Sequence, residues 1–204
     1  MADTRLLAFK ALKNWLNSEK YIDHIVDSLS GKITDRDKRF FDNLVNGTVM
    51  MHRQLDAIIQ KFSRRNSRLH ESVKILAWLG AYELLHQGAS KNYATVHSIV
   101  NQAKKLTPRS SGYINAVLRK IIIFRENGEW DKFLKDSSIS PGLRYSFPDW
   151  LILRWQQQFP EQWEDLLRTL NSEAPKMIYI FDPVHKDNIV KELVALDLQP
   201  EINP

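Results

Sequence analysis

Cysteine is absent from this 204-residue chain. Disulfides, thiolate metal sites and a cysteine nucleophile are excluded with it. Glycine is scarce as well: the seven present never fall as Gly-x-Gly, so no glycine-rich strand–turn–helix for a nucleotide-like cofactor can be traced. No apolar run approaches the ~20 residues that a membrane-spanning helix needs. The N-terminus, Met-Ala-Asp-Thr-Arg, has no apolar core behind a basic start, so a cytoplasmic chain is expected. Low-complexity tracts are missing too. With 43% hydrophobic and 26% charged residues, the expectation is an ordinary folded chain.

What is present in excess is positive charge in one place. The formal net charge is +5, but residues 51–125 carry 13 basic and only 3 acidic side chains. Residues 1–50 are nearly balanced, and residues 151–204 are acidic, with 5 basic against 9 acidic. Such a concentration attracts polyanions, RNA foremost. The plainer explanation is a solvated helical surface.

Apolar residues recur at helical spacing through the first two thirds of the chain. Arg5 to Leu16 places Ala8, Leu12, Trp15 and Leu16 on one stripe, and Tyr21 to Leu29 does the same before Gly31. Thr34, with Asp37 three residues on, resembles a capping box opening a long helix through Phe62. Gly47 inside it costs about 1 kcal/mol relative to alanine, which implies a close helix approach or a break. Leu69 to Leu85 is apolar on two faces and belongs in the middle of a bundle, with Gly80 at another close crossing. Tyr93 to Leu106 and Tyr113 to Phe124 complete the bundle.

The segment from Asn127 to Tyr145 is rich in loop formers, and Trp130, Phe133 and Leu134 allow one short helix there. Helices are expected from Pro148 to Phe159, from Pro160 on with Trp163, Leu166, Leu167 and Leu170 as its apolar face, and from about Lys186 to Leu196. Met177 to Phe181 is the first strand-like stretch. The fold class is therefore mainly α, an antiparallel helical bundle followed by a helical pair and the start of a small α/β domain. The expected domains are 1–126 as the bundle, 127–145 as linker and 146–204 as the remainder.

Three stretches carry a family resemblance. Asp42-Asn43-Leu44-Val45-Asn46-Gly47 with Leu55-Asp56 resembles the long-helix signature of NusB-type domains. Ile75 to Leu85 resembles their central helix, and Tyr113-Ile114-Asn115-Ala116-Val117-Leu118-Arg119-Lys120-Ile121 their closing helix. Further on, Phe147-Pro148-Asp149-Trp150-Leu151, Arg154-Trp155, and Asn171 to Pro175 resemble the segment after the NusB-like domain in Sun/RsmB ribosomal RNA methyltransferases. Where that family has an Arg-x-Asn element on a strand, this sequence has Tyr179 and Phe181.

The resemblance implies an RNA-binding N-terminal module of a ribosomal RNA 5-methylcytosine methyltransferase. It would dock small-subunit ribosomal RNA for a catalytic domain absent from this chain. Relatives attack the cytosine ring with a cysteine thiolate, which makes the neighbouring ring carbon nucleophilic enough to take the methyl group. Without cysteine, this chain is not expected to be an enzyme as given, and it is expected to hold no cofactor. S-adenosylmethionine belongs to the further domain of its relatives. The alternative is a stand-alone NusB-like transcription antitermination factor, binding RNA with a ribosomal protein; it has no need of the segment from Phe147 to Pro204. Ribosomal RNA is the expected partner, with a ribosomal protein as a second. No membrane is involved, and the chain would be a monomer or weak dimer.

No catalytic or metal-binding constellation stands out. His70, His86 and His97 lack metal spacing, and Glu161, Glu164 and Asp165 suit a helix start. Ser110 and Ser111 fit a turn, and the six tryptophans fit packing anchors. The candidate RNA-binding residues are Lys61, Arg64, Arg65 and Arg68 around one inter-helix turn, Lys104, Lys105 and Arg109 at the next, and Arg119 and Lys120 on the closing helix. Such groups bind phosphate by charge-assisted hydrogen bonds. Arg119 is expected to be the structural exception among them, on an otherwise buried helix. Arg5 and Lys10 are added by resemblance to the basic N-terminal segment of NusB relatives.

Overall fold

In the computed structural model, residues 3–31, 33–63, 69–87, 92–172, 180–181 and 183–196 are described. Chain contacts divide it into two compact units, Met1–Asn171 and Ser172–Pro204. The first holds helices α1 (Thr4–Leu16), α2 (Ile22–Ser30), α3 (Asp35–Phe62), α4 (Glu71–His86), α5 (Asn92–Leu106) and α6 (Ser111–Glu126). Four more follow: α7 (Glu129–Lys135), α8 (Pro141–Arg144), α9 (Asp149–Gln158) and α10 (Trp163–Asn171). The second unit contains a 3-10 turn at Pro183–His185 and α11 (Lys186–Ala195). No strand occurs among the described residues, so the mainly helical class holds. Of the strand expected over Met177 to Phe181, residues 177–179, including Tyr179, lie outside the described residues, whereas Phe181 is 90% exposed.

Helix α4 is the axis of the bundle, because every residue from Ile75 to Leu85 is buried and α1, α3, α5 and α6 pack around it. Both interior glycines mark close crossings. A Cβ at Gly80 would lie 2.7 Å from a methyl of Leu118 on α6, and one at Gly47 would overlap the Tyr82 ring. That ring is held in place by a 2.8 Å hydrogen bond from its hydroxyl to Asn43 and by stacking on His86. Thr34 does not form a capping box: its hydroxyl donates to Asp37 at 3.0 Å, and no backbone N–H is capped by its side chain. Aspartate is one methylene shorter than the usual glutamate, and here its carboxylate accepts the hydroxyl's hydrogen bond instead.

The expected linker is folded onto the bundle. Trp130 of α7 is 6% exposed, stacks on Phe133, and meets His86 and Phe124 edge-on. By chain contacts α7 to α10 fall in the same compact unit as the bundle. Arg53 on α3 donates to the Phe147 carbonyl and pairs with Asp149, and Gln54 donates to the Arg144 carbonyl. Asn171 closes the same region by donating to the Tyr145 carbonyl at 2.8 Å. Trp150 is not a core anchor, since it is 64% exposed on α9.

Burial lowers the pKa of His86 from 6.5 to about 4. Its Nε2 faces the Gln54 side-chain oxygen at 2.9 Å, between the rings of Tyr82 and Trp130. The unfolded chain takes up this proton first, so the contribution of His86 is intact above pH 6.5 and is lost as pH falls toward 4. A His86→Phe variant should therefore lose less thermal stability than the wild type between pH 6.5 and 4.5. Parallel pH–Tm curves for the two proteins would rule this out.

Candidate nucleic-acid interface

The cationic residues come from α3, α5 and α6, and α6 packs against both of the others. The last turn of α3 lies against α6. Phe62 meets Phe124 edge-on at 5.4 Å, and the Lys61 ammonium lies over the Phe124 ring at 5.0 Å. Lys120 on α6 donates to the Phe62 carbonyl at 3.4 Å, a cation placed where a helix C-terminus exposes its carbonyls. Ser63 and Tyr113 share a 2.5 Å hydrogen bond, which ties the end of α3 to the start of α6. Lys104 and Lys105 occupy the last turn of α5, and Arg109 the 3-10 turn leading into α6. The corner is closed by Ser111 donating to the Pro108 carbonyl at 2.9 Å.

Lys61, Lys104, Lys105, Arg109, Arg119 and Lys120 are all exposed, and none forms an ion pair among the described residues. The three carboxylates of residues 51–125 are engaged elsewhere. Asp56 accepts from the Trp78 indole at 2.7 Å and pairs with Lys74 at 2.8 Å. Glu71 accepts from Asn17, and Glu83 is buried against Arg5 and Thr95. The positive segment thus has no internal acid directed at these cations.

Arg119 departs from the expectation of burial. Its side chain is exposed and donates to Asn115 one turn back at 3.2 Å. The buried stripe of α6 is Ile114, Val117, Leu118, Ile121 and Phe124, and Arg119 lies off it. Arg5 departs in the opposite direction. Its guanidinium makes two hydrogen bonds, 2.8 and 2.7 Å, to the carboxylate of Glu83, which is 3% exposed, and also covers the Phe40 ring. The bond to Glu83 raises the Arg5 pKa above its ordinary value despite opposing desolvation. Arg5 is therefore committed to the interior. Lys10 is exposed on α1, which packs against α2, α3 and α4. Arg64, Arg65 and Arg68 lie outside the described residues.

One feature of the region is not cationic. On the outward face of α5, Tyr93 is 78% exposed and stacks on His97, with ring centres 6.0 Å apart and planes 18° from parallel. The sequence counts Tyr93 among the apolar positions of an amphipathic helix. An exposed aromatic four residues before a histidine was the available signal.

No helix among the described residues is long and apolar enough to cross a membrane. A profile of the NusB family matches residues 2–122. A second, for the ferredoxin-like domain of RsmF/B-like methyltransferases, matches residues 147–180. Curated relatives include "Ribosomal RNA small subunit methyltransferase B" of Escherichia coli O1:K1, 27% identical over 177 residues. The protein of the same name from Escherichia fergusonii is 26% identical over 177 residues. Each alignment takes in 86% of this chain and 40% of the relative, so the chain spans about two fifths of the length of these proteins. With the NusB match running over α1 to α5 and most of α6, which surround and include the buried axis of the bundle, the chain belongs to the NusB family.

Proposed function

We propose that this chain is an RNA-docking module of a methyltransferase that acts on small-subunit ribosomal RNA. Its substrate is held through the cationic corner of α3, α5 and α6. The observation that carries this reading is the set of six exposed cations without an ion pair among the described residues, in a segment whose only acids are engaged elsewhere. The match of residues 147–180 to a methyltransferase domain favours this over a stand-alone antitermination factor. Docking is the contribution of this chain, and methyl transfer is not. There is no cysteine to attack the ring.

In this reading S-adenosylmethionine is held outside the described residues. The space beside Gly47, Gly80 and Gly142 is filled by Tyr82, Leu118 and Asp149 respectively. Gly31, Gly112 and Gly128 stand near helix ends.

The test is RNA binding by fluorescence anisotropy across a salt series. Wild-type protein should bind small-subunit ribosomal RNA fragments with micromolar or weaker affinity that falls steeply with salt. Reversing Lys104, Lys105 and Arg109 to glutamate should weaken binding at least about tenfold. It should also flatten the salt dependence by about 0.7 in log–log slope for each single-strand phosphate that is no longer neutralised. Equal affinity and slope in wild type and variant would overturn the reading. So would methyl transfer from labelled S-adenosylmethionine by the purified chain.

A further inference from the structure

We infer that the outward face of α5 is a stacking platform for an unpaired RNA base, continuous with the phosphate-binding lysines. The inference rests on the docking function proposed above and names the form of RNA that this face takes. Tyr93, His97, Asn101 and Lys104 recur at intervals of four, four and three residues. At 3.6 residues per turn they fall within about 80° of the helix circumference, over a rise of about 17 Å. The residues of α5 that face inward are others, Thr95, Val96, Ile99, Gln102 and Ala103, so this stripe takes no part in the core.

Its chemistry changes in order along the helix. At the N-terminal end, Tyr93 is 78% exposed and His97 is exposed, and their rings lie nearly parallel. One turn on, the Asn101 amide donates to a His97 ring nitrogen at 3.2 Å, which steadies the imidazole and leaves the Asn101 side-chain oxygen as an acceptor. Lys104 and Lys105 then present two cations, and Arg109 a third. The exposed pair adds little buried area to the fold and meets no other ring among the described residues.

A base has a π-face that stacks on such a ring, while the phosphates on either side of it meet cations. This pairing of aromatic platform and cationic track is the general solution for single-stranded nucleic acid. A base within a duplex is stacked on both sides and cannot use it. The sequence segment that carries this face, residues 51–125, has only 3 acidic residues against 13 basic ones, which suits a polyanion.

The probes are two RNA hairpins of identical stem, one with an open loop carrying 2-aminopurine and one closed by a minimal loop. Wild-type protein should quench the 2-aminopurine and prefer the open loop. Tyr93→Ala should remove the quench and weaken open-loop binding about tenfold, within the range of roughly 1–3 kcal/mol per stacked base. It should leave the salt slope unchanged, because every phosphate keeps its cation, and Tyr93→Trp should restore both signals. If Tyr93→Ala binds and quenches as wild type does while the Lys104, Lys105 and Arg109 reversal still abolishes binding, the stacking platform is wrong and the docking function stands. If wild type binds neither hairpin, yet captures a protein partner in a Tyr93-dependent way, both readings fall.

Discussion

Arg5→Ala should lower the stability of the protein by about 3 kcal/mol while leaving its affinity for RNA intact. Glu83 is 3% exposed, and its carboxylate accepts both Arg5 hydrogen bonds and one from Thr95 at 3.1 Å. Removing the guanidinium leaves a buried carboxylate with a single neutral donor, a situation that costs about 3–5 kcal/mol in comparable sites. The lower end applies because the Arg5 side chain is 25% exposed, so water reaches the vacated space. For a unit of this size the shift in Tm is on the order of 10 °C, readable by thermal unfolding. Glu83→Ala should cost less, since the freed Arg5 can turn to solvent. A variant Arg5→Ala with unchanged Tm but weakened RNA binding would move Arg5 from the interior of the bundle to its RNA face.

Gly47→Val should be comparably damaging, by roughly 3 kcal/mol, for a reason of space and not of charge. The position is in the middle of α3, where a glycine ordinarily forfeits about 1 kcal/mol relative to alanine, so propensity alone favours replacement. The contact with Tyr82 outweighs it. Any Cβ at this position overlaps the phenol ring, which is 8% exposed and cannot withdraw without losing Asn43 and the His86 stack. The check is a double-mutant cycle in urea unfolding. With Tyr82→Ala present, the further cost of Gly47→Val should shrink to about 1 kcal/mol or less, because the space is then open. Strictly additive costs would mean that Tyr82 is not what excludes the side chain.

These two residues also mark where the sequence was and was not sufficient. Close approach at Gly47 and Gly80 was legible because a glycine inside a strong helical pattern has few other uses. Most of the helices were legible from apolar spacing, with observed bounds within a few residues of the expected ones, whereas α8 fell among residues read as loop formers. Arg5 was not legible, because its partner is 78 positions away and a cation near the N-terminus gives no sign of which way it faces. Trp130 was expected on a short helix and as a packing anchor, and it is both, but what it packs against was not legible. Three apolar residues in seven, among loop formers, set up no periodicity; what fixes α7 is its contact with His86 and Phe124.

Arg119 could have been placed from the sequence. Buried positions at Ile114, Val117, Leu118 and Ile121 define a stripe that residue 119 misses by about a quarter turn. In the cationic corner, residue types were readable, but their freedom from pairing was not. That depended on where Asp56, Glu71 and Glu83 are spent, which only the packing decides.

The uninterrupted length of α3 has a metric consequence. At 1.5 Å per residue its 28 residues form a rod of about 42 Å. Arg53 and Gln54 fasten it to the Arg144–Asp149 stretch, and Lys61 stands on the same rod eight and seven residues on, about 12 Å along. The start of the methyltransferase-like segment and the cationic corner are thus set apart by a gauge with a fixed phase as well as a fixed length. Adding or removing one residue between them would turn the two ends by about 100° relative to each other, whatever else the sequence preserved.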